Sequence, residues 1–163
     1  MRANKDKRRM LVFDTAWSYK MMNERNLKKI MTGRDLGGYF DHIWSINGVA
    51  SIVDPKNSKT RFGRPIKFLV NKNHTLIEGK VGRFNFLKIL PPFNLLLSQI
   101  EVLFIAINLI NKNKINLIRA EDIQYNGLFA LILSKVTIPS VRAKRVSSLP
   151  LPTLIPGKND VPL

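Results

Sequence analysis

The 163-residue sequence contains no cysteine, which excludes a disulfide framework and a thiolate metal site and makes a reducing cytosolic setting the expectation. Histidine is nearly as scarce. His42 and His74 are the only two, too far apart in sequence to suggest a ligand cluster, and no metal is expected. Acidic side chains are few as well: 11 Asp and Glu stand against 27 Lys and Arg, a formal charge of +16. That balance favours polyanionic partners such as nucleic acid, anionic lipid headgroups or phosphate-bearing substrates, and charge alone does not choose among them. Gly-x-Gly-x-x-Gly, Gly-x-x-x-x-Gly-Lys and a Ser, His and Asp set are all missing, so neither a dinucleotide loop, a P-loop nor a serine triad is supported.

Long uninterrupted apolar runs are also missing. After the basic residues between Arg2 and Arg9, the run from Met10 to Phe13 stops at Asp14, and no signal peptide is read there. The longest apolar stretch, 93–110, contains Asn94, Ser98, Gln99, Glu101 and Asn108. A charge inside a membrane span is costly, so this stretch is expected to be a core helix rather than a span. Its polar positions Asn94, Ser98, Glu101, Asn108 and Lys112 recur at helical spacings, as a narrow polar stripe on a largely buried helix would.

What is present suits one core, with 45% hydrophobic residues. Met10 to Phe13 predicts a short buried strand, and Trp17 to Met31 an amphipathic helix. Gly33, Gly37 and Gly38 make 32–41 a loop, and 42–53 reads as one strand or a strand pair broken at Asn47-Gly48. The stretch 54–72 is basic and punctuated by Pro55, Gly63 and Pro65, and is expected to be a surface excursion. Thr75 to Ile77 follows as a short strand, Gly79 and Gly82 bracket a basic turn, and Pro91-Pro92 opens the long helix. Ile115 to Ile118, then 127–136 with Leu128, Leu131, Ile132 and Val136 on one side, then Ile138 to Val141, predict a β-α-β unit. The fold class expected is α/β, an incomplete Rossmann-like parallel sheet with flanking helices. The expected division is a basic extension at 1–9, a domain at 10–141, and a Pro-rich tail without stable fold at 142–163, where Pro150, Pro152, Pro156 and Pro162 defeat both ladders and helices.

Ligands of open α/β sheets bind beyond the carboxyl ends of the strands. Three stretches qualify. Asp14 to Ser18 reads as a structural turn. Gly37 and Gly38, beside Tyr39 and Phe40, either shape a pocket wall or end a loop. Glu121, Asp122, Tyr125, Asn126 and Gly127 lie between strand and helix: the two carboxylates suit hydrogen bonds from sugar hydroxyls or a general base, while Asp122 or Asn126 suits a helix cap equally well.

The ordered residues Ile115 to Asp122, Tyr125 to Lys135 and Ile138 to Val141, with Gly37 to Trp44 and the region of Ile77 to Gly79, resemble the N-terminal domain of family-4-type retaining glycosyltransferases over roughly residues 10–141. The resemblance implies a GT-B fold, in which a first Rossmann-like domain binds the acceptor and a second binds a nucleotide sugar without an obligatory metal. It makes Gly37, Gly38, Glu121, Asp122, Tyr125, Asn126 and Gly127 the cleft-lining expectation. No cofactor is implied beyond the nucleotide sugar as donor substrate. The partners implied are an acceptor glycan or lipid-linked saccharide, an anionic membrane surface and a C-terminal donor domain, with the protein cytoplasmic and peripheral at the inner membrane face. The His-Gly-like turn and the paired-Glu donor motif of such enzymes are missing from the sequence. The change of character at Arg142 suggests truncation or a frame shift after Val141, and the chain is expected to be inactive alone. The alternative from another class is a basic nucleic-acid-binding protein without catalysis, for which the sequence offers no recognised motif and no specific nucleic-acid partner.

Overall fold

The computed structural model describes residues 7–27, 37–50, 61–122 and 124–137. Strands buried on both faces lose the polar alternation of a one-sided sheet, and Arg9–Phe13 (β1) and His42–Asn47 (β2) have that character, each buried from its second residue onward. They pair in parallel, with Leu11 opposite Trp44. His74–Glu78 (β4) lies parallel to β2, Leu117–Ala120 (β5) lies parallel to β1, and Ile66–Asn71 (β3) runs antiparallel along β4. The sheet order is β3-β4-β2-β1-β5. This is a mixed α/β fold built on a mostly parallel five-stranded sheet, and its four parallel strands share one carboxyl edge.

Helices flank the sheet on both faces. On one face Leu11, Phe13, Trp44, Ile46, Ile77 and Ile118 pack with Val102, Ala106 and Ile110 of the long helix Pro91–Asn113 (α2) and with Phe129 and Leu133 of Tyr125–Val136 (α3). Alternation sends Met10, Val12, Ile43 and Leu76 the other way. There Met10, Val12 and Ile43 cluster with Phe40, and Leu76 with Met22 of the short helix Tyr19–Glu24 (α1). Ser18 starts α1 by accepting a 3.1 Å hydrogen bond from the Met21 amide, which satisfies one of the donors a helix start leaves open.

Several expectations need correction. The excursion expected at 54–72 contains β3: Phe68 and Val70 pack against the cluster of Met22 and Leu76, an alternating pattern obscured in sequence by the neighbouring basic residues. Of the helix expected from Trp17 to Met31, the described residues up to Leu27 form the six-residue α1, with Asn26 beyond it at a positive φ of 53°, and 28–31 lie outside the described residues. β5 is shifted two residues later than expected, taking in Arg119 and Ala120 at the sheet edge. The largest change concerns which way two helices face. The first half of α2 buries Asn94, Ser98 and Gln99 and exposes Phe93, Leu96, Ile100 and Phe104. α3 likewise buries Asn126, Phe129, Leu133 and Ser134 and exposes Leu128, Leu131, Ile132 and Val136. The strand expected from Ile138 and the tail at 142–163 lie outside the described residues, as do most of the basic extension at 1–9 and the far end of the segment expected at 42–53.

Candidate functional site

β2 and β4 lie on one side of β1 and β5 on the other, so the strand order reverses at β1. At such a reversal the connections leaving adjacent strands diverge and open a crevice at their carboxyl ends. The chain leaving β1 there is Asp14-Thr15-Ala16, and the chain leaving β5 is Glu121-Asp122. Asp14 is buried, its amide donating to the Ile46 carbonyl at 3.0 Å and its carboxylate accepting from the Ala16 amide at 2.8 Å. The Glu121 amide donates to the Phe13 carbonyl at 3.1 Å, and the Thr15 hydroxyl reaches Asp122 Oδ2 at 3.5 Å. These bonds hold the two exits side by side.

Asp122 also receives the Asn126 amide at 3.1 Å and the Asn126 side-chain NH2. It therefore satisfies a free amide at the start of α3, one of the two roles the sequence allows it, and these bonds fix the orientation of its oxygens. Asn126 is fully buried. Glu121 stands further out, 3.8 Å from Arg119. The Tyr125 ring packs 4.9 Å from Phe129, and its hydroxyl donates to Gln99 Oε1, while Gln99 Nε2 donates to the Gly48 carbonyl at 3.2 Å. Burial, with a smaller contribution from the Asp122 carboxylate, raises the Tyr125 phenol well above its ordinary pKa of 10.0. It is a neutral donor at physiological pH.

The rest of the edge is equally polar. Asn47 at the end of β2 is buried, accepts from the Val49 amide at 3.1 Å and donates to the Trp17 carbonyl at 2.9 Å. Glu78 at the end of β4 accepts from the Tyr19 amide. Lys80 follows it, buried, with its pKa lowered by desolvation and partly restored by Glu78. The Ser98 hydroxyl donates to the Lys80 carbonyl at 2.6 Å. Carboxylates, amides, hydroxyls and one amine thus converge along the carboxyl ends of four strands. Such a set can accept from and donate to vicinal hydroxyls, and it offers carboxylates in place of the clustered cations that a diphosphate requires. Among the described residues no group of three or more His, Asp or Glu is placed to hold a metal.

Of the residues singled out in sequence, Glu121, Asp122, Tyr125, Asn126 and Gly127 lie together at this edge. Gly37 and Gly38 do not join them. They precede β2, at the amino edge of the sheet, where the Asp41 amide donates to the Arg8 carbonyl at 2.8 Å and the Arg8 guanidinium lies 4.0 Å from the Tyr39 ring centre. Their φ values of 67° and 86°, with open space where a Cβ would stand, show that these glycines serve the backbone turn. An open depression of about 390 Å³ at that amino edge is lined by Lys7, Arg9, Asp41, His42, Trp44 and Asn113. Asn47, Glu78, Lys80 and Gln99 escaped the sequence reading as members of this edge, whereas Asp14 and Thr15 lie in one of the three stretches that it places beyond the strand ends and reads as a structural turn. The legible signal was that Asp14, Asn47 and Glu78 each directly follow or end an apolar run. The chain matches no protein-family model, no curated protein and no solved structure.

Proposed function

We propose that this chain is the acceptor-side, Rossmann-like half of a GT-B-type glycosyltransferase, binding a saccharide acceptor at the carboxyl edge of β1 and β5. The observation that carries the reading is the reversal of strand order at β1 together with the Asp122 carboxylate there, which has the Thr15 hydroxyl beside it and is held in place by Asn126. Counted in chain order, the parallel strands β1, β2, β4 and β5 lie 3-2-1-4 across the sheet, the order of the first four strands of a doubly wound nucleotide-type fold. The ordered resemblance at Gly37 to Trp44 and at Ile115 to Lys135 supports the same reading.

In this account Asp122 is the acceptor's hydrogen-bond partner and the group placed to take a hydroxyl proton, with Asn126 fixing its orientation and Tyr125, whose one proton goes to Gln99, bracing the start of α3 behind it. Glu121 and Gly127 border the cleft, and Gly37 and Gly38 play no part in it. The nucleotide sugar is a substrate of a separate donor-binding domain, whose paired-Glu motif is not among the 163 residues. The chain by itself is therefore expected to bind saccharide and to leave nucleotide sugars intact. Incubation with a panel of nucleotide sugars and free glycosides, followed for release of nucleoside diphosphate, checks this. No release is expected, and steady turnover of any donor contradicts the division of labour proposed.

The competing nucleic-acid reading draws on the formal charge of +16. At the carboxyl edge, however, Asp14, Glu78, Glu121 and Asp122 oppose a phosphate backbone, which association with nucleic acid must neutralise with cations.

A further inference from the structure

The strands that bring acids to the carboxyl edge bring bases to the amino edge. The segments that meet there are 7–9 at the start of β1, 37–42 at the start of β2, the turn 72–73 before β4, and 112–116, where α2 ends and the chain returns towards β5. They carry Lys7, Arg8, Arg9, Lys72, Lys112 and Lys114, and Asp41 is the one acid within them. Part of this charge has a structural use. The carbonyls that end a helix carry partial negative charge and attract cations: Lys112 lies in the last turn of α2, and the Arg9 guanidinium donates to the Asn113 carbonyl. Lys7 has no such use, and among the described residues no acid is ion-paired with it or with Arg9.

Between these segments lies the depression of about 390 Å³ lined by Lys7, Arg9, Asp41, His42, Trp44 and Asn113. Small-molecule sites span about 300–1,000 Å³ and are largely formed before the ligand arrives. Here the walls come from stretches far apart in sequence, and hydrogen bonds tie each to the next. The Arg9 amide donates to Asn116 Oδ1 at 3.1 Å, and Asn116 Nδ2 donates to the Lys7 carbonyl at 3.3 Å. Asp41 Oδ2 accepts from the Arg8 amide at 2.6 Å. The Ile43 amide donates to the Asn73 carbonyl at 2.8 Å, and the His42 ring lies 4.2 Å from the Trp44 ring. Burial, and then the Arg9 charge, lower the His42 pKa, so this ring is neutral at physiological pH.

These groups favour one ligand chemistry. Lys7 and Arg9 outweigh Asp41 and suit a dianion, and a guanidinium matches phosphate with several donors at once. The His42 and Trp44 rings suit a flat group. Asp41 has a second carboxylate oxygen that accepts from a hydroxyl and repels any further anion beside it. That repulsion disfavours a nucleic-acid strand, in which every residue brings a phosphate. We propose that the depression at the amino edge binds a nucleoside monophosphate, its phosphate between Lys7 and Arg9, its base against His42 and Trp44, and a ribose hydroxyl on Asp41. The site lies at the opposite edge from the proposed acceptor site and is independent of it.

Titration of the whole 15N-labelled chain with adenosine monophosphate (AMP), adenosine and inorganic phosphate, followed through backbone amide shifts, tests this. AMP is expected to shift the amides of Arg9, Asp41, His42 and Trp44 saturably and to leave Thr15 and Asp122 at the carboxyl edge in place. Adenosine and phosphate each keep only part of the contacts and are expected to bind at least about tenfold more weakly. Lys7→Gln, which alters an exposed side chain outside the core, is expected to weaken AMP binding at least about threefold, and Lys7→Gln/Arg9→Gln at least about tenfold with an unchanged circular dichroism spectrum. Absence of saturable shifts with AMP overturns the proposal. So does AMP binding that Lys7→Gln leaves unchanged, adenosine or phosphate binding as well as AMP, or single-stranded DNA binding the same residues more tightly than AMP.

Discussion

At the scale of single residues, the carboxyl edge depends on close approach. Gly79 sits against Gly48, and a Cβ at position 79 would collide with the Gly48 backbone, which has no rotamer with which to yield. Gly79→Ala is expected to cost about 2–3 kcal/mol of unfolding free energy, as overpacking of a fixed site does, measured by chemical denaturation. Tyr125→Phe removes the donor to Gln99 Oε1. A buried acceptor left without its donor predicts a loss of about 1–3 kcal/mol with little change of backbone structure. His42 provides a pH signature on the opposite edge. Burial, and then the Arg9 charge, lower its pKa from the ordinary value of 6.5, and its Nε2 lies 3.0 Å from the Thr75 hydroxyl. The unfolded chain therefore takes up a proton at a higher pH than the folded chain does. Below pH 6.5 stability falls as the pH falls, over the window down to the lowered folded pKa. Thermal unfolding of the wild type and of His42→Gln, compared across that window, should show a shallower slope in the variant.

At the scale of elements, what the sequence revealed follows from which physical signal each element carries. β1 and β2 were legible because burial on both faces leaves an unbroken apolar run. β3 was hidden because it is an edge strand carrying Lys67 and flanked by Arg64 and Lys72, so its alternating Phe68 and Val70 were outweighed by charge. In α2 and α3 periodicity revealed a stripe but not which side of it faces the sheet. Usual amphipathicity settles that question, and both helices depart from it. The candidate site was half legible for a related reason. Glu121 to Gly127 form a local strand-to-helix connection that can be read in one window, whereas Thr15 meets Asp122 across 107 positions of sequence and becomes its neighbour only through the strand order. The reversed facing of α2 makes a sharp prediction at this scale. Asn94→Leu, apolar and similar in size, should destabilise the protein by about 1–3 kcal/mol because it strands the N–H and C=O of Phe84. Phe93→Ser, one residue earlier, should stay within about 0.5 kcal/mol of the wild type. A helix facing the usual way would give the opposite ranking.

At the scale of the whole molecule, the sheet separates two kinds of surface. The carboxyl edge gathers Asp14, Glu78, Glu121 and Asp122 in a chain that has only 11 acidic residues against 27 basic ones, while the outer side of α2 from Phe93 to Phe104 is apolar. A carboxylate-rich edge suits a hydroxyl-rich ligand. The central claim, saccharide binding at the junction of β1 and β5, is tested most directly by following backbone amide shifts of the 15N-labelled chain during titration with a panel of methyl glycosides. The account predicts that at least one glycoside shifts the amides of Thr15, Ala16, Gly48, Asp122 and Asn126 together while leaving Gly38 and Asp41 at the amino edge in place, and that Asp122→Asn abolishes the effect. Shifts confined to the amino edge, or no shift with any glycoside alongside broad shifts with single-stranded DNA, would contradict it.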